Sequence, residues 1–161
     1  MERRRRLINL ETTQGSFIAP ATDNRISSDR FSRNEAKRDV VLLVEDEQDT
    51  ADLVRLHLVK AGLSVLHVKD GRQAVDVIDN ILPPRAVLLD LVVPYVNGSE
   101  LLKIIRNKPG WGHVPVMIVS GNSYAGDIAR MMREGAKDYV VKSTGVGILI
   151  HRLRSMLEEV A

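Results

Sequence analysis

The chain of 161 residues is long enough for one domain and an appendage, and its 44% hydrophobic content allows a sizeable core. It contains no cysteine, which excludes disulfides, thiolate metal sites and cysteine nucleophiles. The net charge of +2 is unevenly spread, because residues 1–39 hold 9 Lys/Arg and 6 Asp/Glu, giving +3, whereas the other residues hold 14 and 15, giving −1.

The first 39 residues lack sustained periodicity and are rich in Ser, Thr, Asn and Arg. We predict a basic, flexible N-terminal extension over residues 1–39, with short helical pieces near either end. Its Arg3–Arg6 run is a candidate patch for phosphate-bearing partners, although a solvated basic terminus is the simpler interpretation. The apolar residues that follow are fewer than the roughly 7–15 of a signal peptide. No apolar run approaches the roughly 18 residues of a membrane span. We therefore expect a soluble, cytoplasmic protein with no membrane partner.

Residues 40–161 alternate short apolar runs with segments of helical periodicity. The apolar runs predict five strands, at about 40–44, 64–68, 86–89, 114–119 and 138–141. A helix is predicted after each strand, and the last one, with apolar residues from Val146 to Val160 on one stripe, gives the clearest signal. This alternation predicts an α/β domain over residues 40–161. Its parallel sheet is expected to be doubly wound, with right-handed crossovers, flavodoxin-like strand order 2-1-3-4-5 and five helices.

Polar residues follow the predicted strands at their carboxyl ends. Glu45 and Asp46 follow the first strand and Asp90 the third, while Ser120 and Lys142 end the fourth and fifth. In a sheet of this order these ends lie side by side, so the groups converge at one edge. Two carboxylates about 4 Å apart repel by roughly 4 kcal/mol at an effective dielectric of 20. The cluster therefore requires a cation, and oxygen ligands of this kind suit Mg²⁺ together with a phosphate oxygen.

Four stretches together resemble a bacterial two-component response-regulator receiver domain of the stand-alone, CheY-like kind. They are Val44-Glu45-Asp46-Glu47, the segment 90–98, Ser120-Gly121 and the segment 135–142. The resemblance covers about residues 40–161, and the spacing of several motifs makes it specific.

The resemblance implies a role for each residue of the predicted site. Asp90 would be the phosphoacceptor, and Lys142 would pair with the phosphoryl oxygens. Mg²⁺ would be bound by Asp46, Asp90 and the backbone carbonyl of Val92, with Glu45 assisting through water.

Ser120 and Tyr139 would form the switch pair. A phosphoryl group adds about 1.5–2 negative charges and three acceptors. The Ser120 hydroxyl can move to bond one of them, which vacates space beside Tyr139 and lets its ring turn inward.

One position departs from the family pattern. The residue after the lysine is usually a proline in a cis peptide, whereas here it is Ser143. A cis bond at a residue other than proline costs about 2.5–4 kcal/mol. Either the peptide bond before Ser143 is cis and strained, or it is trans. The placement of Lys142 depends on which of the two forms is present.

The implied function is a phosphorylation switch rather than an enzyme. Its phosphoryl donor would be a sensor histidine kinase or a phosphotransfer protein. A downstream protein would bind on the face formed by the fourth helix, fifth strand and fifth helix. The sequence leaves open whether the protein forms a homodimer. No element is predicted after the last helix, so output is expected through protein contact or onward phosphotransfer.

The sequence is compatible with two rival functions. One is a binding module that uses the arginine run, for a cyclic dinucleotide or, against our expectation, a nucleic acid. The other is an aspartyl-phosphate phosphohydrolase resembling the haloacid dehalogenase group. Those enzymes carry a second Asp where this chain has Val92.

Overall fold

The computed structural model describes residues 16–18 and 39–160. A six-stranded sheet has the order β1-β3-β2-β4-β5-β6. The strands are β1 (Ser16–Ile18), β2 (Val40–Val44), β3 (Ser64–Val68), β4 (Ala86–Leu89), β5 (Val116–Ser120) and β6 (Asp138–Val141). The helices are α1 (Gln48–Lys60), α2 (Gly71–Asn80), α3 (Gly98–Asn107), α4 (Ala125–Arg133) and α5 (Val146–Glu159), and a short 3₁₀ helix covers Lys142–Thr144.

The predicted parallel sheet and its five helices are confirmed. Strands β2 to β6 run parallel, and their order along the sheet is the expected 2-1-3-4-5 when counted from β2. All of β3, β4 and β5 is buried, which explains why these strands read as continuous apolar runs rather than as alternating patterns. β5 begins two residues later than predicted because Val114 closes a turn, in which its N–H donates to the Trp111 carbonyl at 2.9 Å.

Strand β1 was not predicted. It pairs antiparallel with β3, in a register that places Ser16 opposite His67 and Ile18 opposite Val65. Three residues are too few for an alternating pattern, and their pairing depends on the edge that β3 presents. The Arg3–Arg6 run and most of the extension predicted to be flexible lie outside the described residues.

Two hydrophobic layers cover the sheet. Alternate side chains divide each strand between them, so Leu42 and Val44 pack in the layer with α2, α3 and α4, whereas Val41 and Leu43 pack in the layer with α1 and α5. Trp111, placed in a loop by sequence, is buried in the first layer. None of the described helices is long and apolar enough to cross a membrane.

Arg106, near the end of α3, connects the loop between α3 and β5 with the turn between α4 and β6. Its guanidinium donates to the carbonyls of Gly112 (3.2 Å), Val114 (2.8 Å) and Gly135 (2.6 and 2.9 Å). Burial lowers the pKa of Arg106 from its usual value. Gly135 has φ +109°, and a Cβ there would lie 2.9 Å from Arg106 Nε. The turn between α4 and β6 thus requires a glycine, both because its φ is positive and because a side chain would collide with Arg106.

We predict that Gly135→Ala lowers the free energy of unfolding by about 1–3 kcal/mol, through backbone strain and displacement of Arg106. Urea unfolding at constant m-value measures this change. The matched control is Gly147→Ala in the first turn of α5, where a Cβ meets nothing within 4 Å. That variant should be neutral or more stable by up to about 1 kcal/mol. Equal effects at both glycines would contradict the explanation.

Candidate functional site

The carboxyl edge of the sheet brings Glu45 and Asp90 together. Ladder bonds continue past the strands, because Glu45 N–H donates to the Val68 carbonyl at 3.1 Å and Asp90 N–H to the Val44 carbonyl at 3.0 Å. The backbone therefore fixes both residues at neighbouring strand ends. Both side chains are buried, while Asp46, the next residue in the chain, is exposed.

Lys142 connects the two buried carboxylates. Its Nζ lies 2.7 Å from Asp90 Oδ2 and 2.8 Å from Glu45 Oε2, and its side chain is 25% exposed. The peptide bond between Lys142 and Ser143 is trans. The absence of proline at position 143 therefore does not prevent the lysine from reaching the site.

The pKa shifts reflect burial and the contact between Lys142 and the two carboxylates. Burial raises the pKa of Glu45 above its usual value, since it disfavours the carboxylate more than the Lys142 contact and the Glu47 N–H favour it. Burial alone would lower the pKa of Lys142. Hydrogen bonds to Asp90 and Glu45, together with their charges, outweigh burial and raise it. Lys142 is therefore cationic at neutral pH, and one ammonium faces several carboxylates.

The donor set at this edge fits a hard divalent cation. One carboxylate oxygen from each of Glu45, Asp46 and Asp90 lies within 4.8 Å of the others. Three carboxylates and one ammonium leave a formal charge of −2, which a divalent ion would balance. The exposed Asp46 gives such an ion access from solvent.

Val92 contacts the site through its backbone. Its N–H donates to Asp90 Oδ1 at 3.0 Å, so each oxygen of Asp90 has its own donor. The Val92 side chain is 75% exposed and carries no acid or base. The ligation of a metal by its carbonyl stays a prediction.

Ser120 and Tyr139 meet at the same residue, Asn122. Ser120 Oγ accepts from Asn122 N–H at 3.2 Å, and the Tyr139 hydroxyl donates to the Asn122 carbonyl at 2.7 Å. The ring of Tyr139 is already turned inward, since the residue is only 5% exposed. The backbone of Asn122 therefore connects the two residues that were predicted to form a switch pair.

Sequence reasoning missed two residues of this region. Asn122 is not among the predicted site residues, because its role depends on backbone groups. His67 was assigned no chemistry, yet it is buried in β3, and its Nε2 lies 2.8 Å from the Glu45 carbonyl. Burial lowers the pKa of His67, which favours the neutral ring. A histidine inside an otherwise apolar strand run was the available signal.

A family model described as the response regulator receiver domain matches residues 41–154. The response regulator ArlR of Staphylococcus epidermidis is 32% identical over 117 residues, which cover 73% of this chain and 52% of that protein. The chain spans about half the length of the curated relatives that it matches.

Solved structures agree with this match. The receiver domain of a Francisella response regulator is similar in fold, with a TM-score of 0.70 at 23% identity, over 77% of this chain and all of that one. The receiver domain of sensor histidine kinase PA1611 from Pseudomonas aeruginosa, solved with magnesium coordinated in its active site cleft, has a TM-score of 0.68 at 26% identity. That similarity covers 75% of this chain and 98% of that one.

We predict that Lys142→Met lowers the free energy of unfolding by about 2–3 kcal/mol, because two buried carboxylates lose their shared cation. The loss should be smaller than for a fully buried pair because Lys142 is partly exposed. The control is Lys137→Met, which removes an exposed ion pair to Glu159 of 2.9 Å. That change should cost about 0–1 kcal/mol. Chemical denaturation in metal-free buffer measures both, and equal losses would show that Lys142 acts as an ordinary surface lysine.

Proposed function

Because the chain belongs to the response regulator receiver domain family, we propose that Asp90 accepts a phosphoryl group from a histidine kinase or a phosphotransfer protein. One observation carries this proposal: Asp90 is buried at a strand end, 2.7 Å from a lysine and beside two further carboxylates. The proposal retains the cytoplasmic location expected from the sequence.

The geometry supports a nucleophilic role for Asp90. A carboxylate oxygen attacks the phosphorus of a phosphohistidine, the P–N bond breaks, and an aspartyl phosphate forms while the imidazole leaves. Val92 N–H holds one Asp90 oxygen and Lys142 the other, so the carboxylate is oriented before the donor arrives. Lys142 Nζ is also within reach of the oxygens of a phosphoryl group on Asp90, and it can neutralise part of their charge.

Glu45, Asp46 and Asp90, with the backbone carbonyl of Val92, would hold Mg²⁺. When bound, the ion supplies the positive charge that phosphoryl transfer requires at the carboxylate cluster. The three carboxylate oxygens within 4.8 Å support this assignment. The exposed apolar side chain of Val92 argues against the rival phosphohydrolase, because it offers no general acid.

We predict that incubation with acetyl phosphate and Mg²⁺ adds one phosphoryl group to the wild-type protein, detected by intact mass. Asp90→Asn should abolish the addition because the nucleophilic carboxylate is gone. The control Asp76→Asn changes an exposed aspartate of α2 and should leave labelling unchanged. A phosphoryl adduct that persists in Asp90→Asn would refute the assignment.

The switch proposal follows from the shared contact at Asn122. The hydrogen of the Ser120 hydroxyl is available to a phosphoryl oxygen, because Ser120 Oγ acts as acceptor toward Asn122. A displacement of Ser120 would carry the Asn122 backbone with it and disturb the bond from Tyr139. Tyr139 then responds by release from an inward position, the reverse of the inward turn expected from sequence.

The output face is proposed to consist of α4, β6 and α5. These helices and their flanks expose apolar side chains at Tyr124, Met132 and Ile148. Arg133 and Arg154 are exposed on the same two helices. This mixture suits a protein partner with an apolar patch and an acidic rim.

We predict that beryllofluoride, a phosphoryl mimic, shifts the amide NMR signals of residues 122–126 and of Tyr139. Ser120→Ala should keep the shifts around Asp90 but lose those at Tyr139, since the hydroxyl that connects the two is missing. Wild-type shifts confined to α1 and α2, with Tyr139 silent, would contradict the switch.

A further inference from the structure

The loop after Asp90 contains a strained turn at an exposed tyrosine. Val96 N–H donates to the Pro94 carbonyl at 3.0 Å, and the residue between them, Tyr95, has φ +71°. This is a γ-turn with positive φ, a rare and strained conformation. Among the described residues other than glycine, Tyr95 alone has positive φ. A bulky residue keeps such a conformation only where its surroundings enforce it.

The start of α2 encloses this turn. Gly71 N–H donates a second hydrogen bond to the Pro94 carbonyl, at 2.9 Å. A Cβ on Gly71 would lie 2.0 Å from the Val96 carbonyl oxygen, so the two backbones are in direct contact. These contacts fix Pro94 and Val96, the residues on either side of Tyr95, but they do not hold the ring.

Arg72 supplies the contact with the ring. Its Cζ lies 3.5 Å from the centroid of the Tyr95 ring, in cation–π geometry. The Tyr95 residue is 66% exposed, so burial contributes little to its position. Within the described part of the chain, the Arg72 side chain forms no ion pair or hydrogen bond, which leaves the stack as its specific contact.

The same loop carries groups of the Asp90 site. Val92 N–H donates to Asp90 Oδ1, and Gly98 N–H returns to the Leu91 carbonyl at 3.0 Å. Hydrogen bonds therefore hold the two ends of segment 91–97 close to each other and to Asp90, and the bond from Gly71 holds its middle against the start of α2. Val92 lies only three residues before Tyr95 in this short closed loop.

We infer that Arg72 is a positioning residue for the Asp90 site: by stacking on Tyr95 it maintains the strained turn, and through the turn it fixes the loop that holds Val92 beside the phosphoacceptor. This inference rests on the proposed function, because its consequence for Mg²⁺ requires that Val92 and Asp90 form the metal site. Arg72 touches no reacting atom and acts only through Tyr95.

A double-mutant cycle tests the inference with the full chain and Mg²⁺ as the probe. Exposed cation–π contacts contribute enough to change an equilibrium by about two- to five-fold. Arg72→Ala should therefore weaken Mg²⁺ binding and speed hydrogen exchange of the Val96 amide by about this factor. Tyr95→Gly should bind Mg²⁺ within about two-fold of wild type, because glycine adopts positive φ without strain. In that background Arg72→Ala should have no further effect.

The control is Lys60→Ala, which removes an exposed cation from the last turn of α1 and should change neither measurement. The inference is overturned if Arg72→Ala leaves both measurements at wild-type values. It is equally overturned if Arg72→Ala has the same effect with and without the tyrosine ring, since Arg72 would then act independently of Tyr95.

Failure of the proposed function has a different signature. In that case acetyl phosphate would not label wild-type Asp90, whereas the Val96 exchange rates would still report whether the stack holds the turn.

Discussion

The carboxyl edge of the sheet depends on one interaction: a single lysine shared between two buried carboxylates. Burial raises the pKa of Glu45, and burial of two neighbouring carboxylates as anions would set them in mutual repulsion. Lys142 stabilises the pair by hydrogen-bonding to an oxygen of each. It can do so because β6 ends beside β5, and its last residue leads directly into the short 3₁₀ helix that begins at Lys142. The order of the parallel strands thus determines the electrostatics of the site.

The same topology made much of the site predictable from the sequence. Apolar runs such as residues 86–89 are buried on both faces, so a run followed by a carboxylate marks both a strand and the point where it ends. Once the strand order was inferred, Glu45, Asp90 and Lys142 had to meet. Contacts made by backbone groups leave no comparable pattern in the sequence. The Asn122 carbonyl and N–H bind two different side chains, and no property of the Asn122 side chain announces this.

Periodicity also failed in specific places. Val160 continues the apolar stripe of α5 in sequence, but α5 ends at Glu159 and Val160 is largely exposed. Met132 belongs to the helical pattern of α4 yet is exposed, because Met131 alone of that pair points into the core. Tyr95 lies at a position where turn signals favour glycine or asparagine, and the contacts that surround it, among them the stack with Arg72, are made only in three dimensions.

The pairing of β1 with β3 affects how one sheet can meet another. A strand at the border of a sheet offers unpaired N–H and C=O groups, on which a second molecule can build a continuous intermolecular sheet. Here β1 pairs with three consecutive residues of β3. Because β1 has only three residues, it offers a strand of a second molecule little backbone to pair with. The opposite border, β6, is only four residues long. Strand β1 thus covers β3, the longer of the two strands that would otherwise form the borders, against strand addition.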